Sequence, residues 1–217
     1  MSRPPLSQDL ERIRTLFLQM FVRAESMTQQ AVRSLIQRDP HMARAVTSAD
    51  EALDDLEVEI DRLCVRYLAL ARPSGYELRL VTTVLKMVTD LERMGDLAVN
   101  IAERGLDLGA GPGLEPGESL PRMGDAVVRM IRLAADGFVQ GDARVHDELR
   151  ARDDEVDDLN REAFRHWLGV MAAHPDQADR AMSFTSVSRY LERIADHAVN
   201  LGQMIVLLVE GRDVRHL

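Results

Sequence analysis

The chain has 217 residues, 46% of them hydrophobic but only 4% aromatic, a composition that suits a sizeable aliphatic core built from helices. The formal net charge is −9 and no run of Lys or Arg stands out, so the overall field repels nucleic acid and anionic lipid. The single cysteine, Cys64, excludes an intramolecular disulfide, and no apolar stretch is long enough to span a bilayer, so we expect a cytoplasmic protein without nucleic-acid partners or membrane insertion.

Apolar residues spaced three and four apart predict three helices in the first half, over residues 7–37, 41–71 and 76–103. Asp39-Pro40 separates the first two, because proline suits the first turn of a helix but not its interior. The Arg-Pro-Ser-Gly segment at residues 72–75 ends the second helix.

Residues 109–117 form the Gly/Pro-rich stretch of the chain and predict a linker over residues 109–118. Beyond it the pattern returns, with helices near residues 120–140, 142–173 and 176–210, and no useful stretch alternates with the period of a strand. We therefore predict an all-α fold of two tandem three-helix bundles, residues 1–108 and 119–217, with elongated antiparallel helices.

An internal repeat supports this division. The decapeptide Leu-Glu-Arg-Met-Gly-Asp-Leu-Ala-Val-Asn at residues 91–100 returns at residues 191–200 as Leu-Glu-Arg-Ile-Ala-Asp-His-Ala-Val-Asn, with seven of ten positions identical. Residues 50–56 likewise match residues 153–159, at an offset of 103 rather than 100. The two halves are thus copies of one unit whose second copy is slightly shorter.

Acidic residues line the same flank of the second and third helices in each half. In the first half the column continues through Glu57 and Asp61. At about 100° per residue, these carboxylates border the apolar stripe of each helix. In each antiparallel hairpin, one acidic pair on the second helix and one on the third lie at equal distance from the turn, so they should be level with each other. We therefore predict two carboxylate groups at mid-height, one in each half, formed by Asp50, Asp54, Glu92 and Asp96, and by Asp153, Asp157, Glu192 and Asp196.

Four converging carboxylates beside an apolar surface repel one another, so they need a cation or raised pKa values. All-oxygen ligands suit Fe, Mn, Mg or Ca, with Zn tolerated. The bundle lacks the Glu-x-x-His motif of di-iron bundles, and His197 is expected on the outer side of its helix. The alternative is that each acidic column is a solvated face paired with Arg93 or Arg193. No nucleophile–base pair, phosphate loop or zinc motif indicates catalysis.

Residues 90–103 and 190–200, with the segments at 55–66, 77–81 and 210–216, resemble the paired signatures of the PhoU family over essentially the whole chain. The resemblance implies two three-helix repeats and a multinuclear metal site on the (Glu/Asp)-x-x-x-Asp pairs of each half, with Fe or Zn expected and Mn, Mg or Ca as alternatives. It also implies a homodimer that regulates phosphate uptake and the starvation response negatively. The implied partners are the ATPase subunit of the phosphate ABC transporter and a sensor histidine kinase.

The second signature departs from the first at Ala195, where Gly95 stands in the first copy, and at His197, where the first copy has Leu97. An added methyl at a close helix contact would alter packing or metal occupancy in the second half. Two other interpretations of the whole chain stay open at this point. One is a carboxylate-bridged metalloenzyme, an oxidase or phosphohydrolase, and the other is a purely structural helical dimer.

Overall fold

The computed structural model describes residues 6–109 and 114–214, and none of these residues lies in a β-strand. The first half contains four helical segments, α1 Leu6–Gln37, α2 Pro40–Ala49, α3 Glu51–Ala71 and α4 Gly75–Leu108. The second contains three long helices, α5 Ser119–Gln140, α6 Val145–Ala173 and α7 Ala178–Glu210, with a short 3-10 helix at Pro175–Gln177 before the last. The prediction of an all-α fold with two three-helix repeats is confirmed.

Local chemistry explains where the helices stop. The Asp39 carboxylate accepts hydrogen bonds from the backbone N–H groups of His41 (2.8 Å) and Met42 (3.2 Å). Asp39 therefore caps the N-terminus of α2, whose first residue is Pro40. Gly141 and Gly211 end α5 and α7 in the left-handed region, which glycine enters without steric cost.

The predicted second helix of the first half differs from the structure, because it is interrupted at Asp50. The backbone of Asp50 keeps right-handed helical angles, so the interruption is a bend rather than a break. Its carbonyl accepts from the N–H of Leu53 at 2.7 Å as well as from Asp54 at 3.0 Å. The i+3 bond tightens the chain locally, which the periodicity of apolar residues cannot reveal. The equivalent α6 runs without interruption.

Four helices, α1, α4, α7 and α5, pack in a closed ring, in which each contacts the next. The segments α2 and α3 cover α1 and α4, while α6 covers α5 and α7, so each outer element belongs to its own half. The central pair α4 and α7 is antiparallel. Arg79 Nε donates to the carbonyl of Leu208 (3.1 Å), and Arg180 Nη2 donates to the carbonyl of Leu108 (2.8 Å), so each helix start caps the other helix end.

The two halves share their interior. Phe138 of α5 packs edge-on against Phe17 of α1 with ring centroids 4.8 Å apart, and also lies beside Phe21. Buried side chains from both halves form one continuous hydrophobic cluster. The helix ends at Leu108 and Ser119 flank the predicted linker, of which residues 110–113 lie outside the described residues. Division of the chain into two domains stays a prediction.

Candidate metal centres

The first carboxylate group lies between α3 and α4, where the repeat predicted it. Asp50 stands at the bend, half-buried, and burial together with the charges of Asp54 and Asp96 raises its pKa. Burial also raises the pKa of Glu92 to about 7, with the neighbouring Asp96 as the next cause. The structure therefore brings all four predicted carboxylates within electrostatic reach of one another.

Arg93 partly balances this group. Its Nη1 lies 3.0 Å from Asp96 Oδ2 and its Nε lies 3.4 Å from Glu92 Oε2. The pairing with arginine that the sequence left open as an alternative thus exists in the first half. It does not neutralise the cluster, since the pKa of Glu92 stays raised despite the guanidinium.

The acidic column of α3 extends beyond the two predicted ligands toward the α3–α4 turn. Burial raises the pKa of both Glu57 and Asp61, and the charge of Asp61 adds to the shift at Glu57. The first half therefore carries carboxylates along the groove from Asp50 to about the middle of α3.

The second group lies between α6 and α7, where the charges of Arg189 and Arg193 offset part of the repulsion at Glu192. Burial raises the pKa of Asp153 to about 6, followed by the charges of Asp196 and Asp157. The pKa of Glu192 is raised by burial and by Asp196. Arg161 approaches Asp157 only to 3.8 Å. Asp153 Oδ1 is buried without any hydrogen-bond partner, a costly state for a carboxylate oxygen.

The glycine-to-alanine departure has a steric explanation. A Cβ on Gly95 would lie 2.3 Å from Leu53 Cδ2, closer than carbon atoms can approach. In the second copy Val156 stands where the first has Leu53, and both Val156 and Ala195 are fully buried. The methyl group gained on α7 is thus accompanied by a shorter side chain at the equivalent position of α6.

The expectation that His197 lies on the outer side of α7 is wrong. Its Nδ1 lies 2.8 Å from Asp90 Oδ1 of α4, and Asn200 Nδ2 donates to the same oxygen at 3.4 Å. The prediction considered only the three helices of the second half, in which this face of α7 is outermost. In the structure α4 of the first half packs against that face. Only the identity of the residue, a polar histidine where the first copy has Leu97, could have indicated a different environment.

The donor set fits a cation in its chemistry. Carboxylates share each groove and repel one another, and one buried oxygen in the second group has no partner. The side chains do not stand in ligand geometry, because within residues 6–109 and 114–214 no three or more His, Cys, Asp or Glu side chains are arranged to hold a metal ion. The eight predicted ligands therefore form two electrostatically strained groups, and their metal occupancy stays a prediction.

Comparison with known proteins identifies the family of this fold. The family model described as the PhoU domain matches the chain twice, over residues 17–105 and 120–205. The chain belongs to the PhoU family. The two matches coincide with the two copies of the internal repeat, so the predicted resemblance is confirmed.

Curated relatives support the family assignment over nearly the whole length. A protein of Pseudomonas putida is 37% identical over 216 residues, which cover 96% of this chain and 82% of the relative. A protein of Clostridium acetobutylicum is 32% identical and covers 99% of this chain and 98% of the relative. Both are named phosphate-specific transport system accessory protein PhoU homolog. The names describe an accessory protein rather than an enzyme, in agreement with the sequence-based expectation.

Solved PhoU structures have the same fold. The crystal structure of PhoU from Pseudomonas aeruginosa superposes with a TM-score of 0.91 at 32% identity, covering 96% of this chain and all of that one. The phosphate transport system regulatory protein PhoU from Streptococcus pneumoniae gives 0.89 at 25% identity, with coverage of 97% and 99%. Within the part of the chain that the structure describes, no helix is long and apolar enough to cross a membrane.

Proposed function

We propose that this protein is the accessory regulator of a phosphate-specific transport system, and that it restrains phosphate uptake and starvation signalling when phosphate is plentiful. The observation that carries the proposal is the double match to the PhoU domain, which spans both repeats of the chain. The names of relatives that align over 96% or more of this chain support it. We place its action in the cytoplasm.

We propose that regulation occurs by contact rather than by chemistry. The protein would act as a homodimeric adaptor between the ATPase subunit of the phosphate ABC transporter and a sensor histidine kinase. Long helices expose large lateral surfaces, and several apolar side chains on these surfaces are solvent-exposed, as at Val58, Val65 and Phe164. Such positions are available for partner proteins without any change in the buried core.

We further propose that each half holds a multinuclear metal site, with Fe or Zn as the expected ion and Mn, Mg or Ca as alternatives. The ligands would be Asp50, Asp54, Glu92 and Asp96 in the first half, and Asp153, Asp157, Glu192 and Asp196 in the second. The raised pKa values and the unpartnered Asp153 oxygen support this, because a bound cation would relieve both the repulsion and the lost solvation. The fold would position these ligands by packing α3 against α4 and α6 against α7.

The regulatory proposal is tested with a starvation-gene reporter, such as a secreted phosphatase. In phosphate-replete cells, deletion of this gene should give strong expression, and the intact chain supplied in trans should restore repression. A chain carrying Glu92→Gln and Asp96→Asn, produced at the same level, tests whether the carboxylates are needed. Unchanged reporter expression in the deletion strain would overturn the regulatory role.

A further inference from the structure

A polar cluster joins the two halves in the seam between α4 and α7. Asp90 Oδ1 of α4 lies 2.8 Å from His197 Nδ1 of α7, and it accepts from Asn200 Nδ2 at 3.4 Å. The side chains of Asp90 and His197 are only 19% and 20% exposed, so most of their contact is shielded from water. We name these three residues the seam cluster.

The seam cluster occupies one of two positions that the internal repeat makes equivalent. By the repeat offset, Tyr190 and Leu97 are the counterparts of Asp90 and His197. Because α4 and α7 are antiparallel, two identical copies would place the same polar contact on both sides of the centre of the pair. Leu97 is buried and its side chain has no hydrogen-bonding group. The polar contact between the halves is therefore not a consequence of duplication.

The register of α4 on α7 places the two carboxylate groups level with each other, on opposite flanks of this pair. Three hydrogen-bonded contacts fix that register, Arg79 with Leu208, Asp90 with His197, and Arg180 with Leu108. The same register sets Glu92 level with Asp196, and Asp96 level with Glu192. The first group faces α3 and the second faces α6, so the helices stand in the order α3, α4, α7, α6. The seam cluster lies between the inner two, within about one helical turn of both groups.

The seam residues are close in sequence to predicted ligands. Asp90 precedes Glu92 by two residues, which places the two about 160° apart around α4, and His197 directly follows Asp196, about 100° further around α7. Each helix thus carries ligands on one flank and a seam residue on another. Burial and the charge of Asp157 raise the pKa of Asp196, and the charge of His197 opposes that rise. His197 therefore interacts with a carboxylate of each half.

Ligand geometry in either half requires its carboxylates to move. Within residues 6–109 and 114–214 no three His, Cys, Asp or Glu side chains are arranged to hold an ion. The helices α4 and α7 run unbroken for 34 and 33 residues, so a shift of the ligand-bearing flank also moves the seam residue of the same helix. A hydrogen bond tolerates only small changes in distance and angle. The seam cluster would therefore transmit such a shift from one helix to the other.

We propose that the seam cluster couples the two carboxylate groups, so that an ion bound in one half raises the affinity of the other half for its own ion. This inference rests on the metal sites proposed above and gives them a mutual regulation. The coupling is positive, because the first ion already fixes α4 against α7 and the second therefore needs less rearrangement. The expected factor in affinity is at least about five, the lower end of typical coupling between two sites.

Calorimetric titration of the full chain with Zn²⁺, or with Fe²⁺ without oxygen, measures the coupling. Asp153→Asn/Asp157→Asn leaves only the first half able to bind, and Asp50→Asn/Asp54→Asn leaves only the second. Both pairs of substitutions lie outside α4 and α7, so the seam cluster stays intact. The product of the two affinities in the wild type should exceed the product of these separate affinities by at least about fivefold.

Variants of the seam cluster show whether it carries this excess. His197→Leu, which introduces the residue of the first copy, should reduce the excess to less than about twofold, while Asp90→Asn, which keeps an oxygen acceptor, should retain it. Arg132→Ala is the matched control, because it removes a different contact between the halves, the pair of Arg132 on α5 with Glu25 on α1. The control should keep the full excess. Circular dichroism checks folding, and His197→Ala replaces His197→Leu if the leucine variant does not fold.

The possible outcomes separate this inference from the proposed metal sites. An excess that survives in His197→Leu, or that Arg132→Ala removes equally, would overturn the role of the seam cluster. Wild-type affinities equal to those of the separate halves would show independent centres, so the coupling would fail and the metal sites would stand. If no chain binds either ion, the metal sites fail and the coupling fails with them. The reporter measurement tests the regulatory role independently of all these results.

Discussion

The two halves keep the same acidic pairs but surround them differently. In the first half α3 follows a bend at Asp50 and packs Leu53 against Gly95, whereas in the second α6 is unbroken and the equivalent buried positions hold Val156 and Ala195. A methyl group has moved from one side of the helix contact to the other. The comparison teaches that the two copies keep the acidic pairs while the apolar residues packed beside them change in size.

The halves also differ in what lies beside the acidic pairs. Glu57 and Asp61 extend the first group, while Asn160 and Phe164 occupy the corresponding positions of the second. The first groove therefore carries more negative charge, whereas the second changes from acidic to apolar between Asp157 and Phe164. One fold therefore presents two chemically distinct grooves.

The largest expected effect tests whether the two halves unfold independently or together. Phe138→Ala removes a ring that packs between the halves, and we expect a loss of about 3–5 kcal/mol in the free energy of unfolding. Chemical denaturation followed by circular dichroism and by Trp167 fluorescence should give one shared transition, because the core is continuous. Val139→Ala, at an exposed neighbouring position, should change stability by less than about 0.5 kcal/mol. Two separate transitions in the wild type would show independent halves.

Metal saturation compares the two carboxylate groups directly. Zn²⁺, or Fe²⁺ without oxygen, at about one hundred times its Kd should stabilise the folded chain by about 2.7 kcal/mol for each site. Glu92→Gln/Asp96→Asn should abolish the contribution of the first half and Glu192→Gln/Asp196→Asn that of the second, as measured by thermal unfolding and calorimetric titration. Asp125→Asn, on the exposed face of α5, is the matched control. Full stabilisation retained in both double variants would contradict the predicted ligands.

The different residue pairs of the two halves, Leu53 with Gly95 and Val156 with Ala195, predict that one substitution can restore the stability lost through another. Gly95→Ala should destabilise the protein, because overpacking against Leu53 costs about 1–3 kcal/mol and the helix-propensity gain of alanine offsets up to about 1 kcal/mol of it. Adding Leu53→Val, which reproduces the pair of the second half, should recover most of the loss in denaturant unfolding. Gly169→Ala, where an added Cβ meets nothing within 4 Å, should instead stabilise the protein. A double variant no more stable than Gly95→Ala would contradict the compensation.

The smallest effect expected is a pH dependence of the metal-free protein in EDTA. The folded-state pKa of Glu92 is about 7 against an ordinary value of 4.5, so the folded state binds the proton more tightly. This contribution to stability is therefore largest at low pH and is lost as pH rises from about 4.5 to about 7. For Asp153 the corresponding window runs from 3.8 to about 6.

Unfolding free energies between pH 4 and pH 8 check this prediction. Glu92→Gln and Asp153→Asn should each flatten the decline in their own window, and Asp125→Asn should leave it unchanged. If the wild type and both variants share one slope, the carboxylates do not carry the raised pKa values that the burial implies.

Much of the fold could be predicted because its signals are local or periodic. Apolar spacing located all six predicted helices, and Pro and Gly marked their ends to within a few residues. Equal distance from the hairpin turn predicted that the acidic pairs lie level with each other in each half. The bend at Asp50 was missed because it involves no Pro or Gly, only a shift in hydrogen bonding at a residue whose dihedral angles stay helical. Residue spacing also cannot predict how the side chains around each candidate metal site are oriented.

The sequence by itself determined the helices, their order and which carboxylates share a flank, since these follow from the 3.6-residue period and from short connections. Only the tertiary structure decided how one half meets the other. The pairing of α4 with α7 and of α1 with α5 joins residues about a hundred positions apart, through complementary shape that no local pattern encodes. For that reason His197, assigned outward from its own half, lies against Asp90 of the other, and two copies of one unit share a single core.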